Sequence, residues 1–246
     1  MSRITRRRVP PLYPAEGPIH TVLIGEAPGP RGADQSLIPF WGDRAGALTY
    51  RALRDANCAS WPGDDAHLLR TGRELLQLGM KPTLTGVLLT NAFAACPTDD
   101  GHSFRAPNRA ELTSTANVKR LRAELTLAVS RGCVQVLALG RVSARLVPEH
   151  LAAIGAAHVQ VVPRPHPSAQ GLLQAEPNKG KGCRLADLES KWIREIVALL
   201  PDSTRHEAQA IGACAGLRAQ PTRDVHHVTP ADGEAVDPDD RQYAAR

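Results

Sequence analysis

Apolar residues cluster in four short runs, each bounded by glycine, proline or polar turn residues. The runs cover residues 20–25, 86–91, 134–140 and 159–163. Continuous apolar runs of this length are typical of strands that are buried on both faces of a parallel sheet. The pattern therefore predicts four buried strands.

Between and after these runs, apolar residues recur at helical spacing. This spacing predicts helices over residues 45–56, 66–78, 108–130, 142–154 and 185–200. Strands that alternate with helices indicate βα units with helices on both sides of a sheet. We therefore expect an α/β fold with three α/β/α layers around a central, mainly parallel four-stranded sheet.

The two ends of the chain lie outside this alternation. Residues 1–18 hold four arginines and four prolines, and they are predicted to form a basic extended arm. Residues 201–246 show no sustained periodicity, which predicts a disordered C-terminal tail. One domain is expected over residues 19–200.

Composition narrows the class of protein. Hydrophobic residues make up 42% and charged residues 22% of the 246, which is typical of a globular protein. No apolar run approaches the roughly 20 residues of a membrane span. The basic N-terminus is followed by prolines rather than by an apolar segment, so we expect a cytoplasmic protein. The five scattered cysteines form no CxxC pair, and free thiols fit a reducing compartment.

Positive charge is concentrated in the predicted domain. Residues 1–200 carry 25 basic and 17 acidic side chains, a formal charge of +8. Such an excess favours a polyanionic partner such as nucleic acid, with a merely solvated basic surface as the alternative.

Chemically active side chains follow the predicted strands. Glu26 and Asp34 lie in a loop rich in glycine and proline after the first strand, Asn91 ends the second, and His166 follows the fourth. Ligands of parallel sheets bind beyond the carboxyl ends of the strands. The first loop contains neither the GxxxxGK[ST] motif nor the GxGxxG motif, so a phosphate-binding loop is not the favoured interpretation. The sequence therefore predicts a site built from two carboxylates, an amide and an imidazole.

Four segments, taken together, resemble the uracil-DNA glycosylase superfamily. They are residues 25–29 (GEAPG) with 39–46 (PFWGDRAG), 89–97 (LTNAFAACP), 136–140 (VLALG) and 166–169 (HPSA). They occur in the order of the family and span about residues 20–200. Glu26 is similar to the type-four enzymes, whereas the longer loop up to Phe40 is similar to the type-five branch, so the branch stays open.

The resemblance implies hydrolysis of the N-glycosidic bond of uracil, and of other deaminated bases, in DNA during base excision repair. This reaction builds positive charge on the deoxyribose and negative charge on the departing base. Either Asp34 or Glu26 would orient a water molecule and stabilise the cation. His166, as a neutral imidazole, would donate to uracil O2, unless it is only a structural loop histidine.

An extruded base needs a pocket that stacks on it and reads its edge. Phe40 is the predicted stacking ring, with a place in the core as its alternative, and Trp41 is the more natural core residue. The Asn91 amide would donate to uracil O4 and accept from N3–H, a pattern that cytosine reverses; a turn or capping role is the alternative. Ala27, a small residue of the first loop, is the third predicted base contact.

The segment after His166 is predicted to contact the DNA. Residues 167–173 are similar to the intercalating loop of the family, with Gln170, Leu172 and Leu173 as the predicted wedge into the gap left by the flipped base. The predicted backbone contacts are Arg164, Ser168, Lys179, Lys181 and Arg184.

Both family branches typically hold an iron–sulfur cluster on four cysteines. Here no cysteine precedes Cys58, and cluster binding needs about four converging thiolates. We therefore expect no metal and no cofactor, with Cys96 and Cys133 as ordinary buried thiols. The expected protein is a monomer acting on DNA that contains deaminated bases. The alternatives are a non-catalytic nucleic-acid-binding module and a hydrolase of a nucleotide-like small molecule.

Overall fold

The computed structural model describes residues 3–200, and its apolar runs form the expected strands. The strands of these residues are β1 (Thr21–Gly25), β2 (Ala59–Ser60), β3 (Thr83–Leu84), β4 (Val87–Asn91), β5 (Gln135–Leu139) and β6 (Gln160–Arg164). Four of them make a parallel sheet in the order β4-β1-β5-β6, while β2 and β3 form a separate antiparallel pair.

The helices connect these strands. Those of the described residues are α1 (Ala33–Ser36), α2 (Arg44–Asp55), α3 (Gly72–Gln77), α4 (Arg109–Thr113), α5 (Thr115–Ser130), α6 (Arg141–Ala153), α7 (Ala169–Ala175) and α8 (Leu185–Leu199). Short 3-10 segments cover Asp65–Leu69 and Pro177–Gly180.

Side chains of β1 alternate between two hydrophobic cores, one on each face of the sheet. Leu23 packs in a core with residues of α2 and α8, whereas Val22 and Ile24 pack in a core with residues of α5 and α6. Each of the three is fully buried. The predicted three-layer α/β/α architecture is therefore confirmed.

Two predicted helices are each broken by a capping residue. The segment predicted as one helix over 66–78 changes from 3-10 to α-helix at Thr71, whose side chain and Glu74 form a capping box. The segment predicted over 108–130 breaks at Ser114, which has extended ψ of 139° and accepts from Asn117 N–H. Polar caps thus override a continuous apolar periodicity.

The described part of the predicted N-terminal arm packs against the domain. Its residues Ile4 and Val9 are buried. Leu12 exchanges both backbone hydrogen bonds with Leu89, at 2.9 and 3.0 Å, so the arm covers the outer edge of β4. Covering an edge strand satisfies backbone groups that would otherwise be open.

The predicted tail, residues 201–246, lies outside the described residues. No helix among residues 3–200 is long and apolar enough to cross a membrane.

Candidate active site

The carboxyl ends of the four parallel strands bring the predicted site residues to one edge of the sheet. Gly25 is the register partner of Asn91, and Leu139 is the register partner of Arg164. The loops that start at Glu26, Asn91, Gly140 and Pro165 therefore emerge side by side.

Gly25 is the point where Phe40 and Asn91 meet. A Cβ placed on Gly25 would lie 2.6 Å from Asn91 Oδ1 and 2.7 Å from Phe40 Cζ. Real Cβ atoms do not approach other atoms so closely, so only glycine allows the amide and the ring to come this near to the strand end. The structure thus brings together the predicted amide and the predicted stacking ring.

Phe40 has an unusual backbone conformation. Its φ is +59°, in the left-handed region that bulky residues seldom adopt, and its side chain is 7% exposed. Tyr50 Oη donates to the carbonyl of Pro39 at 3.0 Å, and Gly46 packs without a side chain against the carbonyl of Phe40. Strained bulky residues held in this way are concentrated at ligand sites.

Trp41 belongs to the same hydrophobic core as Phe40 and is the more deeply buried of the two. It is 1% exposed, its indole N–H donates to the carbonyl of Met80 at 3.2 Å, and its ring meets Tyr50 edge to face.

The backbone after Asn91 is held by a buried polar network that sequence reasoning missed. Arg120 Nη2 donates to the carbonyls of Asn91 and Ala92 at 3.0 and 2.9 Å. Asn117 Nδ2 also donates to Ala92 O, at 2.9 Å, and Arg120 Nη1 pairs with Glu124 at 2.8 Å. Arg120 and Glu124 are four residues apart on an otherwise apolar helix face, and this spacing is the sequence signal that could have indicated the network.

Glu26 lies half-buried at the end of β1, next to half-buried Ala27. Burial raises the pKa of its carboxyl group, and the Arg141 guanidinium opposes that shift. Its carbonyl accepts from Phe93 N–H at 3.0 Å, and Ser143 Oγ donates to the preceding carbonyl of Gly25 at 2.8 Å. Ser143 is a second supporting residue that the sequence did not single out.

His166 presents a neutral imidazole with one nitrogen engaged. Burial lowers its pKa to about 4. Nδ1 accepts from the backbone N–H of Ser168 at 3.2 Å, so the proton of the neutral ring resides on Nε2. Trp192 anchors the same loop by donating to the carbonyl of Pro165 at 2.9 Å. The Nε2–H is thus available as a neutral hydrogen-bond donor.

Asp34 is placed differently from Glu26. Its carboxylate is 0% exposed and accepts from Thr5 N–H at 2.8 Å, from Thr5 Oγ1 at 2.9 Å and from Gln35 Nε2 at 2.8 Å. Three donors on two oxygens leave this group bound to the N-terminal arm, and its charge serves to hold that arm.

The segment predicted to intercalate is largely helical. Ser168 caps α7 by accepting from Gly171 N–H at 3.1 Å. This helix turns Leu172 inward, where it is 4% exposed and belongs to the same core as Trp192. The structure therefore does not support Leu172 as a wedge, because the helical turn buries it, while Gln170 remains exposed.

The predicted phosphate contacts lie around α7 and the start of α8. Lys179, Lys181 and Arg184 are exposed, but Arg184 forms a bidentate pair with Asp187 at 2.8 and 2.9 Å. Arg164 is half-buried and donates to the carbonyl of Pro163 at 2.9 Å. Of the four charged residues in this set, the two lysines are therefore the best placed to contact a phosphate from the solvent side.

The described cysteines do not form a site for an iron–sulfur cluster. Cys58, Cys96 and Cys133 are buried and Cys183 is exposed, and residues 3–200 contain no group of three or more side chains able to hold a metal ion. Burial raises the pKa of the Cys96 thiol to about 12, which disfavours the thiolate that a cluster needs. The residues present do not fit such a group.

Comparison with known proteins identifies the family of the chain. The sequence profile of the uracil DNA glycosylase superfamily matches residues 13–188. The chain belongs to this superfamily. A solved structure with similarity to it is that of wild-type Pedobacter heparinus SMUG2, at 12% identity and a TM-score of 0.42, covering 74% of this chain and 76% of that one. No curated protein matches.

Membership of the superfamily supports a DNA glycosylase activity and a DNA substrate.

Proposed function

We propose that this protein is a DNA glycosylase that hydrolyses the N-glycosidic bond of deoxyuridine in DNA and thereby starts base excision repair. The observation that carries the proposal is the meeting of the Asn91 amide and the Phe40 ring over Gly25, on the strand edge that also bears Glu26 and His166. The groups for reading a base and the groups for cleaving its bond then share one edge.

The base would be held before it is cleaved. The Phe40 ring, which lies beside Gly25, would stack on an extruded base, and the fixed backbone of Asn91 would give its amide a defined direction. An amide can donate to uracil O4 and accept from N3–H, whereas cytosine presents the opposite polarity at both positions. Selection of uracil over cytosine follows from this pattern, since the wrong base would leave buried polar groups unpaired.

Cleavage places charge on both fragments. As the bond to the sugar lengthens, the ionised Glu26 carboxylate would stabilise the positive deoxyribose and orient the attacking water. The His166 Nε2–H would donate to uracil O2 as negative charge develops there. Because its pKa is lowered to about 4, His166 stays neutral near pH 7 and donates without losing a full proton.

Glu26 is the preferred carboxylate for this role. It lies at the strand end with a raised pKa, which indicates an ionisable group in partly dry surroundings, whereas the Asp34 oxygens are already taken by Thr5 and Gln35. A catalytic Glu26 favours the type-four branch, because Glu26 is the residue of the first loop that is similar to that branch.

One incubation series tests the proposal. Oligonucleotides that carry uracil, hypoxanthine or xanthine are incubated with the protein, and abasic sites are then cleaved with alkali. We expect strand cleavage at uracil, and single-turnover product formation distinguishes an enzyme from a binding module. Tight binding of uracil-containing DNA without any abasic product would contradict the proposal.

A further inference from the structure

Two cavities of the described residues, of about 390 and 540 Å³, lie outside the strand-edge site. The one of about 540 Å³ lies between the N-terminal arm and the loop after β4. We call it the arm cavity. Its lining residues are Arg3, Ile4, Thr5, Arg6, Arg73, Asp99, Asp100 and Gly101.

Both walls of the arm cavity are fixed by hydrogen bonds. On one side, Ile4 N–H donates to the carbonyl of Gly101 at 2.8 Å. On the other, Thr5 binds Asp34, which belongs to the loop that leads to Phe40. The cavity is therefore a defined feature that joins the arm to the two loops from β1 and β4.

Two of the three arginines of the arm cavity, Arg6 and Arg73, donate to neutral acceptors. Arg6 Nη2 donates to the carbonyls of Thr98 and Asp99 at 2.9 and 3.0 Å, and Arg73 Nη2 donates to Gln35 Oε1 at 3.3 Å. Carbonyl and amide oxygens orient a guanidinium group without cancelling its charge. The ion pairs found among residues 3–200 include none of Arg3, Arg6 and Arg73.

The two carboxylates of the arm cavity are occupied by other donors. Asp100 accepts from the backbone N–H groups of His102 and Ser103, both at 2.7 Å, and from Ser103 Oγ at 2.8 Å. Asp99 pairs with Arg105 at 2.8 Å. No carboxylate of the described residues is therefore in a direct ion pair with these arginines, and an anion with several oxygens would supply such a contact.

The arm cavity and the lysines near α7 stand at opposite ends of the candidate site. The arm covers the outer edge of β4, at one end of the sheet, whereas the segment with Lys179 and Lys181 follows β6, at the other end. A DNA strand that crosses the strand edge to deliver a base would meet positive charge on both sides.

We propose that the arm cavity binds a backbone phosphate of the DNA, on the β4 side of the extruded nucleotide, through Arg3, Arg6 and Arg73. This inference rests on the proposed function for the choice of DNA as the anion. It adds a second region of backbone contact to the one around α7. It also gives the arm a role in substrate binding.

The test is the salt dependence of DNA affinity. Arg3→Ala/Arg73→Ala is compared with Arg122→Ala/Arg194→Ala, which removes the same charge from exposed positions on α5 and α8. Binding of a fluorescent uracil-containing oligonucleotide is measured by anisotropy between about 50 and 200 mM salt. Losing one phosphate contact should flatten the slope of log K against log salt by roughly 0.7–0.9 in the cavity variant only.

An equal change in both variants, or none in the cavity variant, overturns the inference. Thermal unfolding of both variants shows whether either one is misfolded. Arg3→Lys/Arg73→Lys keeps the positive charge and should therefore keep the native salt slope. The proposed function fails separately, by the absence of uracil release from the native protein. The slope comparison can be read in either case, because it measures binding alone.

Discussion

Thr5 donates twice to the carboxylate of Asp34, through its N–H at 2.8 Å and its hydroxyl at 2.9 Å. This pair ties the N-terminal arm to the loop between β1 and Phe40. A carboxylate that sequence analysis proposed for catalysis is thus used to hold two segments together. Glu26, by contrast, lies at the end of β1, so substitutions of the two carboxylates should affect different properties, stability for Asp34 and reaction rate for Glu26.

Asp34→Asn should lower stability rather than slow the chemical step. The substitution turns one acceptor into a donor that faces Thr5 N–H, so we expect a loss of about 1–3 kcal/mol in the free energy of unfolding. The single-turnover rate at saturating enzyme should change by only a few-fold. Thr5→Ala is the matched control, because it removes the hydroxyl from the same pair. A rate loss larger than that of Glu26→Gln would restore Asp34 as the acting carboxylate.

Glu26→Gln should reduce the single-turnover rate by about 10²-fold or more, with little change in DNA affinity. The pH profile gives a second readout. The pKa of Glu26 is raised by burial, so as pH falls the carboxylate is protonated earlier than an ordinary glutamate, and the rate should fall with it. That acid limb should disappear in Glu26→Gln. An unchanged limb in the variant would assign it to another group.

Much of the fold could be predicted from sequence because its strands are uninterrupted apolar runs. The breaks at Thr71 and Ser114 were missed, although Thr71 and Glu74 carry the spacing of a capping box. The packing of the arm was missed as well. Its apolar residues Ile4 and Val9 are too far apart to show a period, and their burial depends on surfaces distant in sequence.

The place of a candidate residue in the fold could be predicted where a strand end alone decides it. Asn91 and His166 follow strands, so the topology brings them to the site edge whatever their neighbours are. Asp34 also lies in a site loop, but its role depends on Thr5, a partner 29 residues away. Leu172 fails for a similar reason, since the helix that buries it is capped by Ser168 and packed against Trp192.

His166→Ala should slow excision by about 10²–10³-fold while leaving affinity for uracil-containing DNA almost unchanged. The reason is that the Nε2–H acts on charge that exists only in the transition state. Trp192→Phe serves as the structural control, because it removes the N–H that holds the same loop at the carbonyl of Pro165 and leaves His166 in place. A comparable rate loss in this control would show that loop order, not donation, is what His166→Ala disturbs.

Arg120 should act on base selection through Asn91, because it binds the carbonyls of Asn91 and Ala92. Removing its side chain outright would leave the buried Glu124 carboxylate without its charged partner, with only the Thr90 hydroxyl still donating to it. Arg120→Lys is therefore the informative change, because it keeps the positive charge and removes the two-pronged guanidinium group. We expect about a tenfold slower release of uracil and weaker discrimination against cytosine, since small displacements of contact groups are costly.

The double variant with Asn91→Ala decides whether that effect passes through Asn91. If Arg120 positions the amide, then Arg120→Lys should add almost nothing once the amide is gone, and the two losses should be strongly non-additive. Leu125→Ala, at a buried position of the same helix, reports what loosening α5 alone does. Losses that simply add in the double variant, or a loss of discrimination in Leu125→Ala, would mean that Arg120 stabilises the fold without directing the base contact.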